Sequence, residues 1–296
     1  IPWHLADVTL IKEIDFTLIT NGLSETTPYG IYWRADGKRV YITGGSRDTV
    51  IQYESTGSAF DIGALTFEHA YSLAPLETSP NGIEFKHDGS QMFVVGSNTD
   101  KVYQYDLSKN WDISTAKYVS VLSVNQFEDS PFFFRLDPSN KSFYTGGSRK
   151  DAIIKYDLYS GTSGSLFNVS GSNYSSQLTI ASPTDIYGDV DIKGKLILRQ
   201  SPEFTGEPKF EHGLTSESGS IKAIGISNPI DIETAQFVQS SSNPDGVGDM
   251  TGIVFRPDGK AVLISDDHYV DRIYQYTLST PWDIGTLNLT QTDNKH

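Results

Sequence analysis

Six residues recur along this chain as Asp48-Thr-Val-Ile-Gln-Tyr53, Asp100-Lys-Val-Tyr-Gln-Tyr105, Asp151-Ala-Ile-Ile-Lys-Tyr156 and Asp271-Arg-Ile-Tyr-Gln-Tyr276. A repeat of this kind constrains the fold more than any other feature, because each copy must form the same unit and bury the same face. A second pattern stands upstream of each copy: Pro28-Tyr-Gly-Ile-Tyr-Trp33, Pro80-Asn-Gly-Ile-Glu-Phe85, Pro131-Phe-Phe-Phe-Arg-Leu136 and Met250-Thr-Gly-Ile-Val-Phe255, with a degenerate copy at Pro183. These starts lie 52, 51, 52 and 67 residues apart, so the fourth interval holds an insertion of about 15 residues. A third pattern appears six times: Trp3-His-Leu5, Phe60-Asp-Ile62, Trp111-Asp-Ile113, Phe167-Asn-Val169, Ile230-Asp-Ile232 and Trp282-Asp-Ile284.

Each unit reads as four short strands. The run Gly82-Ile-Glu-Phe85 meets an Asp88-Gly89 turn, whose glycine supplies the positive φ of a tight hairpin, and returns as Gln91-Met-Phe-Val-Val95. Val102–Tyr105 and, after the Trp-Asp-Ile corner, Lys117–Leu122 complete the unit. About 50 residues in four antiparallel strands is the size of a propeller blade. The expected fold is therefore all-β, a single β-propeller domain over residues 1–296. It has five four-stranded blades (28–79, 80–130, 131–182, 183–249 and 250–296) and a lead-in of residues 1–27. The run Val8–Ile14 is placed to close the ring as an N-terminal strand on the last blade, which would remove a free edge. The sixth corner makes a six-bladed ring the alternative.

Tyr and Phe number 16 and 15, and aromatics reach 12%, a mixture suited to half-buried strands. The net charge of −14 leaves no basic face for nucleic acid or anionic membrane. No run of 18 apolar residues is present, so no membrane insertion by a helix is expected. The absence of cysteine removes disulfides and thiolate chemistry and leaves the redox compartment open.

The repeated Asp48, Asp100, Asp151 and Asp271 read first as structural, each fixing a hairpin loop through backbone N–H groups. Trp3, Trp111 and Trp282 are expected between blades, with Asp112 and Asp283 satisfying donors at the corner. Nucleophile-elbow, zincin, phosphate-loop and complete EF-hand motifs are missing. The six His fall at unrelated positions; His268 is the most ligand-like, but an exposed loop His is the plainer reading. No metal is expected, apart from an irregular Ca²⁺ site at Asp185, Asp189 and Asp191 as the alternative. The axial mouth, where each innermost strand begins, holds Tyr29, Asn81, Phe132, Thr184 and Thr251. These aromatic and small polar residues suit contact with a sugar or protein surface. Glycosidase-type chemistry needs two placed carboxylates, for which Asp185 and Asp249, in or beside the least regular unit, are the alternative candidates.

The unit SPNGIEFKHDGSQMFVVGSNTDKVYQYDLSKNWDIS at 79–114 resembles the propeller repeats of virion structural proteins of marine bacteriophages, and more distantly YVTN-type repeats. That resemblance implies a non-enzymatic structural, receptor- or glycan-binding module of a virion, such as an appendage, fibre or decoration protein. Its partners would be other virion or surface proteins and cell-surface glycan, and its location the virion or cell surface. A propeller hosts many activities, so two other readings stand beside it: a secreted carbohydrate-active hydrolase or lyase using Asp185 and Asp249, and a bacterial surface adhesin.

Overall fold

Where an Asp-Gly pair separates two apolar runs, the glycine takes a left-handed conformation that an L side chain avoids, and the strands fold back on each other. In the computed structural model this holds at Gly37, Gly89 and Gly259, with φ of +66°, +74° and +70°, and Asn140 takes the same role at +56°. The structure describes residues 11–15, 25–150, 152–158, 197–198, 203–205, 215–216, 222–224, 230, 232–241, 247–267 and 272–292.

Four sheets of four antiparallel strands result, and the chain is a β-propeller in architecture. The first blade is β1 (Pro28–Trp33), β2 (Arg39–Gly44), β3 (Thr49–Ser55) and β4 (Leu65–Ser72). The second is β5 (Pro80–Phe85), β6 (Gln91–Gly96), β7 (Lys101–Leu107) and β8 (Ala116–Ser123). The third begins with β9 (Pro131–Leu136), β10 (Ser142–Gly147) and β11 (Ile154–Asp157). The short strands β12 (Ile197–Leu198), β13 (Glu203–Thr205), β14 (Thr215–Ser216) and β15 (Lys222–Ile224) then pair in parallel, β12 with β14 and β13 with β15. The outer strand of the third blade is β16 (Gln236–Ser240), which pairs with β11. The fourth blade is β17 (Met250–Phe255), β18 (Ala261–Asp266), β19 (Arg272–Leu278) and β20 (Leu287–Thr292).

This corrects the expectation of five or six blades. The described residues form four, and the stretch expected to be the fourth unit, 183–249, contains instead the corner at Ile230 and Ile232 and the outer strand of the third blade. The long interval is an insertion between the third and fourth strands of one blade. The period-based reading failed because Phe167-Asn-Val169 stands where that blade's corner would fall by spacing, while Ile230 makes the contacts of a corner. The fourth blade also takes β20 from its own C-terminal side, so Val8–Ile14 does not supply its outer strand. The described residues 11–15 lie against the first blade, where Ile14 packs on Val40, Ile42, Ile51, Tyr53 and Leu65.

Blades stack in chain order, with the innermost strands β1, β5, β9 and β17 adjoining successively. Between blades the core is continuous: Tyr41 and Val50 of the first blade join Ile83, Phe85, Met92 and Val94 of the second. Polar links repeat across the same seams. The Tyr41 hydroxyl donates to the Trp111 carbonyl at 2.6 Å and the Tyr144 hydroxyl to the Trp282 carbonyl at 2.8 Å. The amides of Ile113 and Ile232 donate to Gln52 Oε1 and Gln104 Oε1, each at 3.0 Å. Each link satisfies a buried polar group at the seam, where an orphaned one would cost about 1–3 kcal/mol.

At three corners a short 3-10 turn is capped by an aspartate. Asp61, Asp112 and Asp283 accept the amides of Gly63, Ser114 and Gly285 at 2.9, 3.1 and 3.0 Å. The corner aromatics Phe60, Trp111 and Trp282 have φ of +61°, +67° and +65°. Each amide donates to the carbonyl of the hairpin glycine, Gly37, Gly89 or Gly259, so the ring lies flat over a residue with no side chain.

Candidate functional site

The innermost strands put one residue of each blade at a common register. Tyr32 pairs with Tyr41, Glu84 with Phe93, Arg135 with Tyr144 and Val254 with Leu263. Adjacent blades therefore bring Glu84 and Arg135 together beside the axis, with Nη1 of Arg135 3.3 Å from Glu84 Oε2. Nη1 also donates to the carbonyls of Ile83 and Phe134, and Nε donates to Ile253 of the fourth blade at 3.1 Å. Nη2 has no hydrogen-bond partner among the described residues, and the Arg135 side chain is 25% exposed. One guanidinium thus ties three inner strands and still offers a donor edge.

Burial pushes the Glu84 carboxyl up to about 7, against the pull of Arg135 and of the Phe85 amide it accepts. Tyr32, on the other side of Glu84, is also raised, by burial first and then by the Glu84 charge. A carboxyl near 7 changes protonation state around neutral pH, which is what a general acid–base needs.

The same shift has a consequence for stability. Glu84 sits higher in the fold than the ordinary value of 4.5, so the folded state favours its protonated form. Its contribution is fully present below pH about 4.5 and is lost as the pH rises through about 7. The total is roughly 3 kcal/mol by the usual conversion of a pKa difference. Urea unfolding at pH 5 and pH 8 is expected to show this loss in the wild type and a flatter dependence in Glu84→Gln; parallel curves would remove Glu84 as its source.

The sequence-derived mouth residues are placed as follows. Tyr29 is 53% exposed. Asn81 is buried, donating through Nδ2 to the Pro131 carbonyl at 3.0 Å, while its own carbonyl accepts from Thr43 Oγ1. Phe132 is half-buried, and Thr251 Oγ1 meets Ser265 Oγ at 3.0 Å. Asn81 is thus committed to joining the second and third blades. Asp249 is half-buried at the entry to β17, and its carbonyl accepts from the Asp267 amide. Thr184, Asp185, Asp189, Asp191 and His268 lie outside the described residues, as do Trp3, Asp151 and Asp271.

Asp48 and Asp100 act differently from the expectation. Both have positive φ, +52° and +57°, and it is their carbonyls that accept the amides of Leu73 and Val124. Asp100 Oδ1 is buried without a partner, and burial raises its carboxyl. The loop-fixing carboxylates are Glu25, Glu77 and Glu128, which the sequence reading passed over. They accept from Thr27, Ser79 and Ser130 two residues on, and reach across to Ser46, Thr99 Oγ1 and the amides of Arg149 and Lys150. Their signal was present as Glu-x-Ser/Thr-Pro before three inner strands.

Among the described residues no group of three or more His, Cys, Asp or Glu is arranged to hold a metal ion. No helix among them is long and apolar enough to cross a membrane.

No family model matches the chain, and no curated protein sequence matches it. Solved structures do. A putative 6-phosphogluconolactonase from Bacteroides uniformis is 13% identical over 91% of this chain and 56% of its own, with a TM-score of 0.46. A protein from Lactobacillus plantarum is 13% identical over 90% and 57%, at 0.47. The periplasmic gluconolactonase of Pseudomonas aeruginosa is 11% identical over 95% and 58%, at 0.45. The chain spans a little over half the length of these structures. The virion expectation is corrected here: the solved structures similar to the chain include gluconolactonase-type propellers, and the comparisons lend no support to a phage, tail-fibre, decoration or adhesion role.

Proposed function

We propose that the Glu84–Arg135 cluster is an acid–base site for a small carbonyl compound, and that the propeller is a hydrolase of esters or lactones. The observation that carries this reading is a carboxyl pushed to about 7, side by side with a guanidinium whose Nη2 is uncommitted. In the reaction, ionised Glu84 takes a proton from a water as its oxygen attacks the carbonyl carbon. Arg135 Nη2 donates to the carbonyl oxygen as that atom becomes negative. Collapse of the tetrahedral species breaks the bond to the leaving oxygen, which takes the proton back from Glu84. Removing one oxyanion donor costs about 10²–10³ in kcat, and removing a general base about 10²–10⁴.

The test is a turnover assay with p-nitrophenyl acetate and δ-gluconolactone. For the wild type, kcat/KM is expected to rise with pH through about 7, following ionisation of Glu84. Glu84→Gln is expected to lower it at least about 100-fold, and Arg135→Lys to act mainly on kcat. No turnover of either compound, or a Glu84→Gln chain as active as the wild type, overturns the reading.

A further inference from the structure

Of the four residues that share one register on the inner strands, Tyr32, Glu84, Arg135 and Val254, only Arg135 is a cation. Its Nε and Nη1 are held by the carbonyls of Ile253, Ile83 and Phe134 and by Glu84 Oε2. Nη2 is reached by solvent and has no partner among the described residues. Because Nη2 shares its carbon with Nη1, an anion accepting from Nη2 stands next to Glu84 Oε2.

Charge decides what can stand there. With Glu84 ionised the pair is neutral, and a second carboxylate beside it is repelled. With Glu84 protonated the pair carries one positive charge and presents two donors, the Nη2 N–H and the Glu84 O–H, to match the two oxygens of a carboxylate. The strands packed on Glu84 alter this little. β9 brings Arg135, β1 brings Tyr32 and β2 brings Tyr41, both tyrosines being raised by burial and so neutral, while β6 pairs the uncharged Phe93 with it. Arg39 of β2 is engaged by Glu68 and the Trp111 carbonyl. A single guanidinium with one free edge suits a monoanion, since a phosphate dianion would need a second cation that this register does not supply.

We propose that the Glu84–Arg135 pair binds a small monocarboxylate together with one proton, which sits on Glu84, and releases both when that proton leaves. The identity of the ligand rests on the hydrolase reading of the same pair: it is the acid formed from the ester or lactone. When the leaving oxygen departs, the new acid still carries one O–H. An ordinary carboxylic acid titrates near about 4, below Glu84 at about 7, so the proton passes to Glu84 with no other bond changed. The product is left as a carboxylate against Arg135 Nη2 and the neutral Glu84. Loss of the proton to solvent then puts two carboxylates side by side and expels the product.

The probe is sodium acetate, with sodium chloride at equal ionic strength as the control, titrated into the wild-type chain labelled with ¹³C at the glutamate carboxyls. The Glu84 signal, assigned by its loss in Glu84→Gln, is expected to titrate about one pH unit higher when acetate is at ten times its Kd. Acetate affinity, read from backbone amide shifts, is expected to fall about tenfold per pH unit above about 7. In Glu84→Gln the Arg135 charge is uncompensated at every pH, so acetate is expected to bind with less than about a twofold change in affinity from about pH 6 to about pH 9. No acetate binding at pH 6 overturns the proposal, as do an equal response to chloride, an affinity independent of pH in the wild type, or a pH dependence that survives in Glu84→Gln. Turnover separates the two readings of the pair. Acetate bound as expected by a chain that hydrolyses neither ester nor lactone overturns the hydrolase and leaves the carboxylate site, whereas turnover without acetate binding overturns the carboxylate site alone.

Discussion

Replacing Gly82 by valine is expected to cost at least about 3 kcal/mol, while the same replacement at Gly252 is expected to change stability by less than about 1 kcal/mol. The two glycines occupy the same place in their blades, three residues before Phe85 and Phe255. A Cβ on Gly82 would stand 2.8 Å from the Phe132 carbonyl oxygen and 3.0 Å from Phe133 Cα, both backbone atoms of the neighbouring inner strand. Neither can swing away, so the second and third blades would have to part where Asn81 and the Glu84–Arg135 pair join them. At Gly252 the sole close atom among the described residues is Ser265 Oγ, 2.9 Å away at the end of a short side chain. Urea unfolding of both variants measures the contrast; equal losses would show that the cost at Gly82 does not come from the approach of two backbones.

Trp111→Ala is expected to cost roughly 3 kcal/mol or more, and Phe60→Ala closer to 1 kcal/mol, although both residues hold the same corner position. Trp111 stacks on Tyr32 at 6.1 Å between centroids, tilts against Phe85 at 5.5 Å and covers Gly89. Its carbonyl receives Tyr41 and Arg39 from the first blade. Truncation opens a cavity at a seam that two blades share. Phe60 is 54% exposed and meets chiefly Trp33 and Gly37. Unfolding midpoints at constant m-value decide the comparison, and a Phe60→Ala loss as large as that of Trp111→Ala would contradict the account.

Much of the architecture was legible because a period leaves marks that local chemistry explains. The Asp-Gly turns, the aspartate-capped corners and the alternation of Val102–Tyr105 each follow from residues within a few positions of one another. The blade count was not legible. Ile230 and Phe167 offered equivalent corners, and the choice between them was made by β16 pairing with β11 across an insertion.

The acid–base pair was hidden for a related reason. Tyr32, Glu84, Arg135 and Val254 share one register and no chemistry, so no motif marks them. Glu84 and Arg135 are 51 residues apart and meet because consecutive inner strands pack side by side. Sequence alone determined the repeating blade, its turns and its corners, since those rest on φ preferences and short-range hydrogen bonds. Tertiary structure decided which strands share a blade and which carboxyl is forced toward neutrality, since burial and pairing depend on what the neighbouring blade brings into contact.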